Sequence, residues 1–110
     1  MVPVDTETLK ALADENRLAI VRLLAGGERC ICDAATELGL SDALVSHHMK
    51  RLQAAGLVMT RKQGQWLHCR LDPAAFAMLA REFSAFETSA GTAAPRQCCP
   101  DREWSNHGRP

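Results

Sequence analysis

No run of apolar residues approaches the ~18 that a membrane-spanning helix needs. The opening MVPVDTETLK is acidic and lacks the apolar stretch of a secretory signal, so the expected location is the cytoplasm, with no membrane partner. There is no internal repeat, no glycine-rich nucleotide loop, no Cys-x-x-Cys redox pair and no phosphate-cradling Cys-x5-Arg. With those motifs missing, an enzyme is not expected. A disulfide framework is missing too. The five cysteines, Cys30, Cys32, Cys69, Cys98 and Cys99, are odd in number and bunched at spacings of two and one. Close thiol pairs in a reducing compartment point to soft-metal binding or redox sensing. Finally, the chain lacks net charge, with 13 basic and 13 acidic residues.

What is present is one domain's worth of polypeptide. A chain of 110 residues with 46% hydrophobic and 24% charged residues has ordinary globular composition, and a chain this long buries roughly two-thirds of its unfolded surface. The charge is unevenly placed. Residues 1–40 carry four Lys/Arg against seven Asp/Glu, whereas residues 41–70 carry Lys50, Arg51, Arg61, Lys62 and Arg70 against Asp42 alone. A basic middle third between acidic flanks suggests a localised face for a polyanion.

Periodicity divides the chain further. Leu9, Leu12 and Ala13 form a short apolar face at helical spacing. Asp14 is placed to cap a second helix with Leu18, Val21 and Leu24 inward, stopped by Gly26-Gly27. A third helix is expected from about residue 31 to 38, ending at Gly39. Ser41 then caps a fourth with Leu44, Val45, Met49 and Leu52 inward, ending at Gly56. The period next changes to two. Leu67, Cys69 and Leu71 alternate with Trp66, His68 and Arg70, and Gly64 marks a hairpin. Asp72-Pro73 opens a last helix with Phe76, Leu79, Ala80 and Phe83 on one face. The expected fold is mainly α with a small β-hairpin, a winged helix-turn-helix. It occupies residues 1–87, and residues 88–110 form a cysteine-containing tail expected to be disordered.

Three segments together resemble the ArsR/SmtB family of arsenic- and metal-responsive repressors: LKALADENRLAIVRLL, ERCICDAATELGLSDALVSHHMKRLQAAGLV and RKQGQWLHCRLDP. They span roughly residues 9 to 73, and the likeness is greatest to the arsenic-responsive branch. The resemblance implies a homodimeric repressor that leaves double-stranded operator DNA when a thiophilic ion binds. As(III) or Sb(III) is the implied inducer, with Cd(II), Pb(II) or Zn(II) as the alternative and thiol oxidation as a further one.

Within ERCICD, Cys30 and Cys32 are the expected ligands. On one helix their side chains would diverge by about 200°, so a shared ion is expected to force a turn at Ile31 and distort the helix start. The helix N-terminus is expected to lower the thiol pKa. The arsenic branch commonly has a third cysteine where this chain has Ala35, so Cys98 and Cys99 are further candidates. An extended tail of ~10 residues reaches about 33 Å. Cys69 shares a strand face with Leu67 and Leu71 and is expected in the core.

For DNA, Ser41, Asp42, Ala43, Ser46 and His47 fall in the first turns of the fourth helix, the part that enters a major groove. Lys50 and Arg51 continue it, and Arg61, Lys62, Gln63 and Gln65 flank Gly64 in the wing, suited to phosphate contact. His48 is expected to pack inward. Leu9, Leu12, Phe76, Leu79 and Phe83 are the candidates for a dimer seam. The resemblance implies no zinc site on the last helix, which lacks the paired Asp/His ligands.

Overall fold

The computed structural model describes residues 4–95. Its elements run α1 (Thr6–Leu12), α2 (Glu15–Ala25), β1 (Arg29–Cys30), α3 (Ile31–Leu38), α4 (Asp42–Ala54), β2 (Val58–Gln63), β3 (Trp66–Leu71) and α5 (Pro73–Thr92). Four helix starts have a local cause. The side chains of Asp5, Asp14, Ser41 and Asp72 accept the backbone N–H of Thr8, Arg17, Leu44 and Ala74 respectively. α3 differs, for its cap is Cys30, extended and without a side-chain capping bond.

Two helix ends share one device. Gly39, at φ 69°, lets the N–H of Leu40 donate back to Ala35 O at 3.0 Å and that of Gly39 to Thr36 O at 3.3 Å. At the end of α4, with Gly56 at φ 78°, Leu57 N–H donates to Leu52 O and Gly56 N–H to Gln53 O, both at 3.0 Å. This is the left-handed stop that glycine makes cheap. It folds Leu57 back beside Leu52, and both are fully buried. The core they join holds Ile20, Val45 and Cys69, beneath α2, α3, α4 and the sheet. Each large aliphatic side chain so buried contributes about 1.5–3 kcal/mol.

β2 and β3 form the expected hairpin, closing from the Gln63–Trp66 pair through Gly64-Gln65. β1 was not expected. It pairs antiparallel with β3, Arg29 opposite Cys69 and Cys30 opposite His68, so the sheet runs β1-β3-β2. A two-residue strand shows no alternation in sequence, and only its partner defines it.

Some expected faces differ. Leu44 is 36% exposed rather than inward. Val45, His48, Met49 and Leu52 make the buried face of α4, and Leu44 lies a full 100° step from Val45. Leu67 is 38% exposed, because the hairpin tip extends past the helices. Leu79, a candidate for the dimer seam, is only 6% exposed within the single chain and belongs to its own core. α5 continues through Thr92, past the 87/88 position where the domain was expected to end. Among the described residues no helix is long and apolar enough to cross a membrane.

Candidate metal centre and nucleic-acid interface

Cys30 ends β1 and Cys32 sits in the first turn of α3. Because Cys30 has extended backbone, the two residues do not share a helix, and the 200° divergence does not apply. Their Sγ atoms lie 3.3 Å apart in a hydrogen bond. The expected distortion at Ile31 is therefore unnecessary, since the strand-to-helix junction already aims both thiols at one point. The expected drop in thiol pKa also fails for Cys32. Its pKa is raised, first by the hydrogen bond to Cys30, then by desolvation and the nearby charges of Cys30 and Asp33. These two neighbours outweigh the helix terminus. An ion taken up here must displace a proton that the pair holds.

The Asp33 carboxylate joins the thiols, with donor atoms of all three within 4.8 Å of one another. A cleft of about 270 Å³ is lined by these residues with Trp66 and His68. Cys69 stands apart. It is fully buried, and burial pushes its thiol up to about 11, which suits a core residue. Ala35 is also buried, so that helical position faces the core. Cys98 and Cys99 lie outside the described residues.

α3, the Gly39-Leu40-Ser41 turn and α4 form the helix-turn-helix. With 100° per residue, Ala43, His47 and Lys50 lie on the side of α4 opposite its buried face, and all three are exposed. Asp42 is exposed, Ser46 half-buried, and the Ser41 hydroxyl accepts the Leu44 N–H at 3.1 Å. Arg51 lines a cleft with Glu7, Lys10 and Ala54, on the side towards α1. His48 is buried, and its Nδ1 faces Arg17 Nη1 at 3.3 Å. The guanidinium can only donate, so Nδ1 accepts and the ring is neutral. Burial lowers the His48 pKa, against the pull of Asp14.

The wing is less open than its sequence suggests. Arg61 Nη2 meets Glu28 Oε1 at 2.6 Å, and its Nη1 donates to Gln63 Oε1 at 2.8 Å. The guanidinium holds Glu28 below the usual carboxylate range. Glu28 also lies 4.0 Å from His68 Nδ1. Lys62 and Gln65 are exposed, and Lys62 makes no ion pair among the described residues.

Of the seam candidates, Leu9 and Phe83 are exposed, and Leu12 and Phe76 half-buried. Val4 N–H donates to Glu82 Oε1 at 2.7 Å, tying the start of the fold to α5. Sequence reasoning missed Phe86, 57% exposed with its ring 5.9 Å from Phe83, although its i+3 spacing was visible. It also missed Glu28, Asp33 and His68, whose neighbours come from distant parts of the chain or from β1.

Residues 14–60 match the family model described as bacterial regulatory protein, arsR family. An arsenical resistance operon repressor of Escherichia coli (strain K12) is 48% identical over 68 residues, 61% of this chain and 58% of that protein. A protein of the same description from Staphylococcus aureus is 38% identical over 81 residues, covering 74% and 78%. The chain spans little more than half the length of several curated relatives it matches. The solution structure of a homodimeric winged helix-turn-helix DNA-binding domain from Mycobacterium bovis superposes with a TM-score of 0.62 at 29% identity, covering 83% of this chain and 86% of that one.

Proposed function

This chain belongs to the arsR family of bacterial regulatory proteins, and from that premise we propose that it is a cytoplasmic transcriptional repressor. It binds operator DNA as a homodimer and releases it when Cys30 and Cys32 take up As(III) or Sb(III). The observation that carries this reading is the pair of thiols held 3.3 Å apart where β1 meets α3, the helix that packs against α4. Two adjacent thiols already 3.3 Å apart fit a thiophilic ion, which would replace their protons. The added ion and any further ligand it recruits are proposed to act through the start of α3 on α4, and through the β1–β3 pairing on the wing. Differential affinity of about 2.7 kcal/mol is enough to loosen operator binding a hundredfold. Cys98 and Cys99 are proposed to donate further thiolates.

On α4, Ala43, Ser46, His47 and Lys50 approach base edges and phosphates, with Ser41, Asp42 and Arg51 at the margins. Arg61, Lys62, Gln63 and Gln65 serve the backbone beside them. A second copy is proposed to cover Leu9, Leu12, Phe76, Phe83 and Phe86. Phe83→Asp would place an unpaired charge in that apolar seam, and sedimentation is expected to show monomer together with lost operator binding.

The central experiment is footprinting on DNA from upstream of the protein's own gene, with As(III), Sb(III), Cd(II), Pb(II) and an oxidant titrated in turn. Release by As(III) in the wild type, and none in Cys30→Ser or Cys32→Ser variants that still bind DNA, is the expected result. Release by oxidant alone favours a redox sensor. Induction surviving in both single variants but lost in Cys98→Ser/Cys99→Ser places sensing in the tail and overturns the proposal.

A further inference from the structure

The inner side of α4 carries one polar joint among its apolar contacts. His48 shares that buried face with Val45, Met49 and Leu52, and is itself 7% exposed. Its hydrogen-bond partner is Arg17 of α2, whose Nη1 stands 3.3 Å from Nδ1. The rest of the guanidinium faces the end of α1, with Nε donating to Ala11 O at 2.6 Å and Nη2 to Lys10 O at 3.4 Å. One planar fork thus closes two open carbonyls of α1 and holds a side chain of α4. Asp14 Oδ2 lies 4.0 Å from the same Nδ1. We propose that Arg17, Asp14 and His48 are positioning residues for operator recognition, and that one proton on His48 Nδ1 shifts the mount of α4 from Arg17 to Asp14. This rests on the reading of α4 as the DNA-contacting helix and adds a control upon it.

Donor and acceptor chemistry forces the exchange. A guanidinium only donates, so the Arg17 contact exists while Nδ1 is an acceptor and the ring proton sits on Nε2. A proton arriving at Nδ1 removes that acceptor and sets two cations against each other. The new N–H has a carboxylate at 4.0 Å, and about 1 Å of movement makes this a hydrogen bond. Asp14 is ready to receive it. As the cap of α2, its Oδ2 accepts the Arg17 backbone N–H at 3.0 Å, and that bond holds the carboxyl below its usual range. A carboxylate oxygen has a lone pair left for a second donor.

The charges around the ring favour its neutral form. Besides Asp14 and Arg17 from α2, His47 and Arg51 of α4 itself act on it, and both oppose protonation. On α1, Lys10 and Glu7 pair with each other at 3.5 Å. On α3, Asp33 lies with the thiols and Glu37 pairs with Arg29. On β2, Arg61 pairs with Glu28 and Lys62 is exposed. Burial is the larger obstacle, so the ring takes its proton below pH 6.5. The next residue is His47, whose ring meets that of His48 edge-on at 5.2 Å. A shift of His48 therefore carries with it a side chain proposed to touch DNA. Mild acid slackens the mount of α4 and lowers operator affinity.

The test is operator binding by the full reduced chain at pH 7.5 and pH 5.5, with sedimentation and circular dichroism at both. Wild-type affinity should fall by about threefold or more at pH 5.5 relative to His48→Gln, whose amide offers Arg17 an oxygen and takes up no proton. Both proteins keep His47, so its own titration cancels in that ratio. The His48 ring C–H signal in NMR should titrate below 6.5 in the wild type. Asp14→Asn, which retains a capping side chain, should lower that midpoint further, and Arg17→Gln should raise it. Identical pH profiles in the wild type and His48→Gln, with both folded and dimeric, overturn the proposal. So does a wild-type loss that coincides with dissociation to monomer, which places the pH effect in the seam. Absence of specific operator binding by the wild type at pH 7.5 overturns the reading of α4 itself, and the joint with it.

Discussion

α4 and the wing carry similar basic residues but are held differently. α4 is anchored by four buried side chains on one side and leaves Ala43, His47 and Lys50 facing outward, with no side-chain ion pair at Lys50 among the described residues and the His47 ring set edge-on to His48. β2 buries only Val58 and then runs out into solvent, steadied at Arg61 by a surface ion pair with Glu28. Side-chain packing fixes the first, whereas backbone pairing with β3 and one surface ion pair hold the second. A reader of bases needs a rigid mount, since a displacement of 1 Å costs a hydrogen bond, whereas a phosphate contact tolerates movement. The difference also makes the wing the easier part to regulate, because an exposed ion pair contributes little stability and exchanges readily.

The sharpest way to break this comparison is to attack the two mounts. Leu52→Ala should destabilise the fold by about 2–5 kcal/mol in a denaturant titration, since it opens a cavity under α4. Leu67→Ala, on the exposed wing, should stay within about 0.5 kcal/mol. Equal losses would mean the wing is packed as firmly as the helix.

A smaller effect separates reading from anchoring. His47→Ala should weaken operator binding by about 1–3 kcal/mol if it contacts a base, with little change on random DNA. Lys62→Ala should lower the salt slope by about one unit on both. Loss on both DNAs for His47→Ala would assign it to the backbone.

The Glu28–Arg61 pair yields a third expectation. Glu28→Gln releases the guanidinium, so the salt slope of DNA binding should steepen by about one unit. An unchanged slope would mean that Arg61 keeps to the protein in the complex.

The mildest prediction concerns pH. Burial places the folded-state pKa of His48 below its unfolded value of 6.5. Between the two values the unfolded chain binds more protons, so stability is fully present above 6.5 and declines as pH falls towards the folded pKa. Denaturation midpoints should therefore drop from pH 7.5 to pH 5.5, and His48→Gln should reduce that slope. A slope unchanged in the variant would assign the pH response to other groups.

The helices were legible because their causes are local. A carboxylate or hydroxyl two or three residues before a backbone N–H, a glycine at the left-handed stop and apolar residues at 3.6-residue spacing all lie within one or two turns of chain. Asp14, Gly39, Ser41 and Asp72 acted as read, and so did the Gly64 hairpin. The inward faces were read less well. Leu44 and His48 differ by only four positions, and an average hydrophobicity scale ranks leucine above histidine as a core residue. His48 packs inward as expected, because Arg17 satisfies the buried ring, whereas Leu44, expected inward, is exposed.

The sequence alone therefore determined the capped helix starts at Asp14, Ser41 and Asp72, the stop at Gly39 and the helix-turn-helix order, where each interaction closes over a few residues. Tertiary structure decided what lies beside what. Cys30 leaves the helix because Arg29 and Cys30 pair with a strand nearly 40 residues later, and that pairing brings the two sulfurs together and sets His68 beside them. Glu28 claims Arg61 across 33 positions, and Leu79 turns into its own core while Phe83, one turn on, remains exposed. A residue's neighbours within a turn follow from the backbone period, but its neighbours across the fold follow from strand register and packing, and no local pattern encodes those.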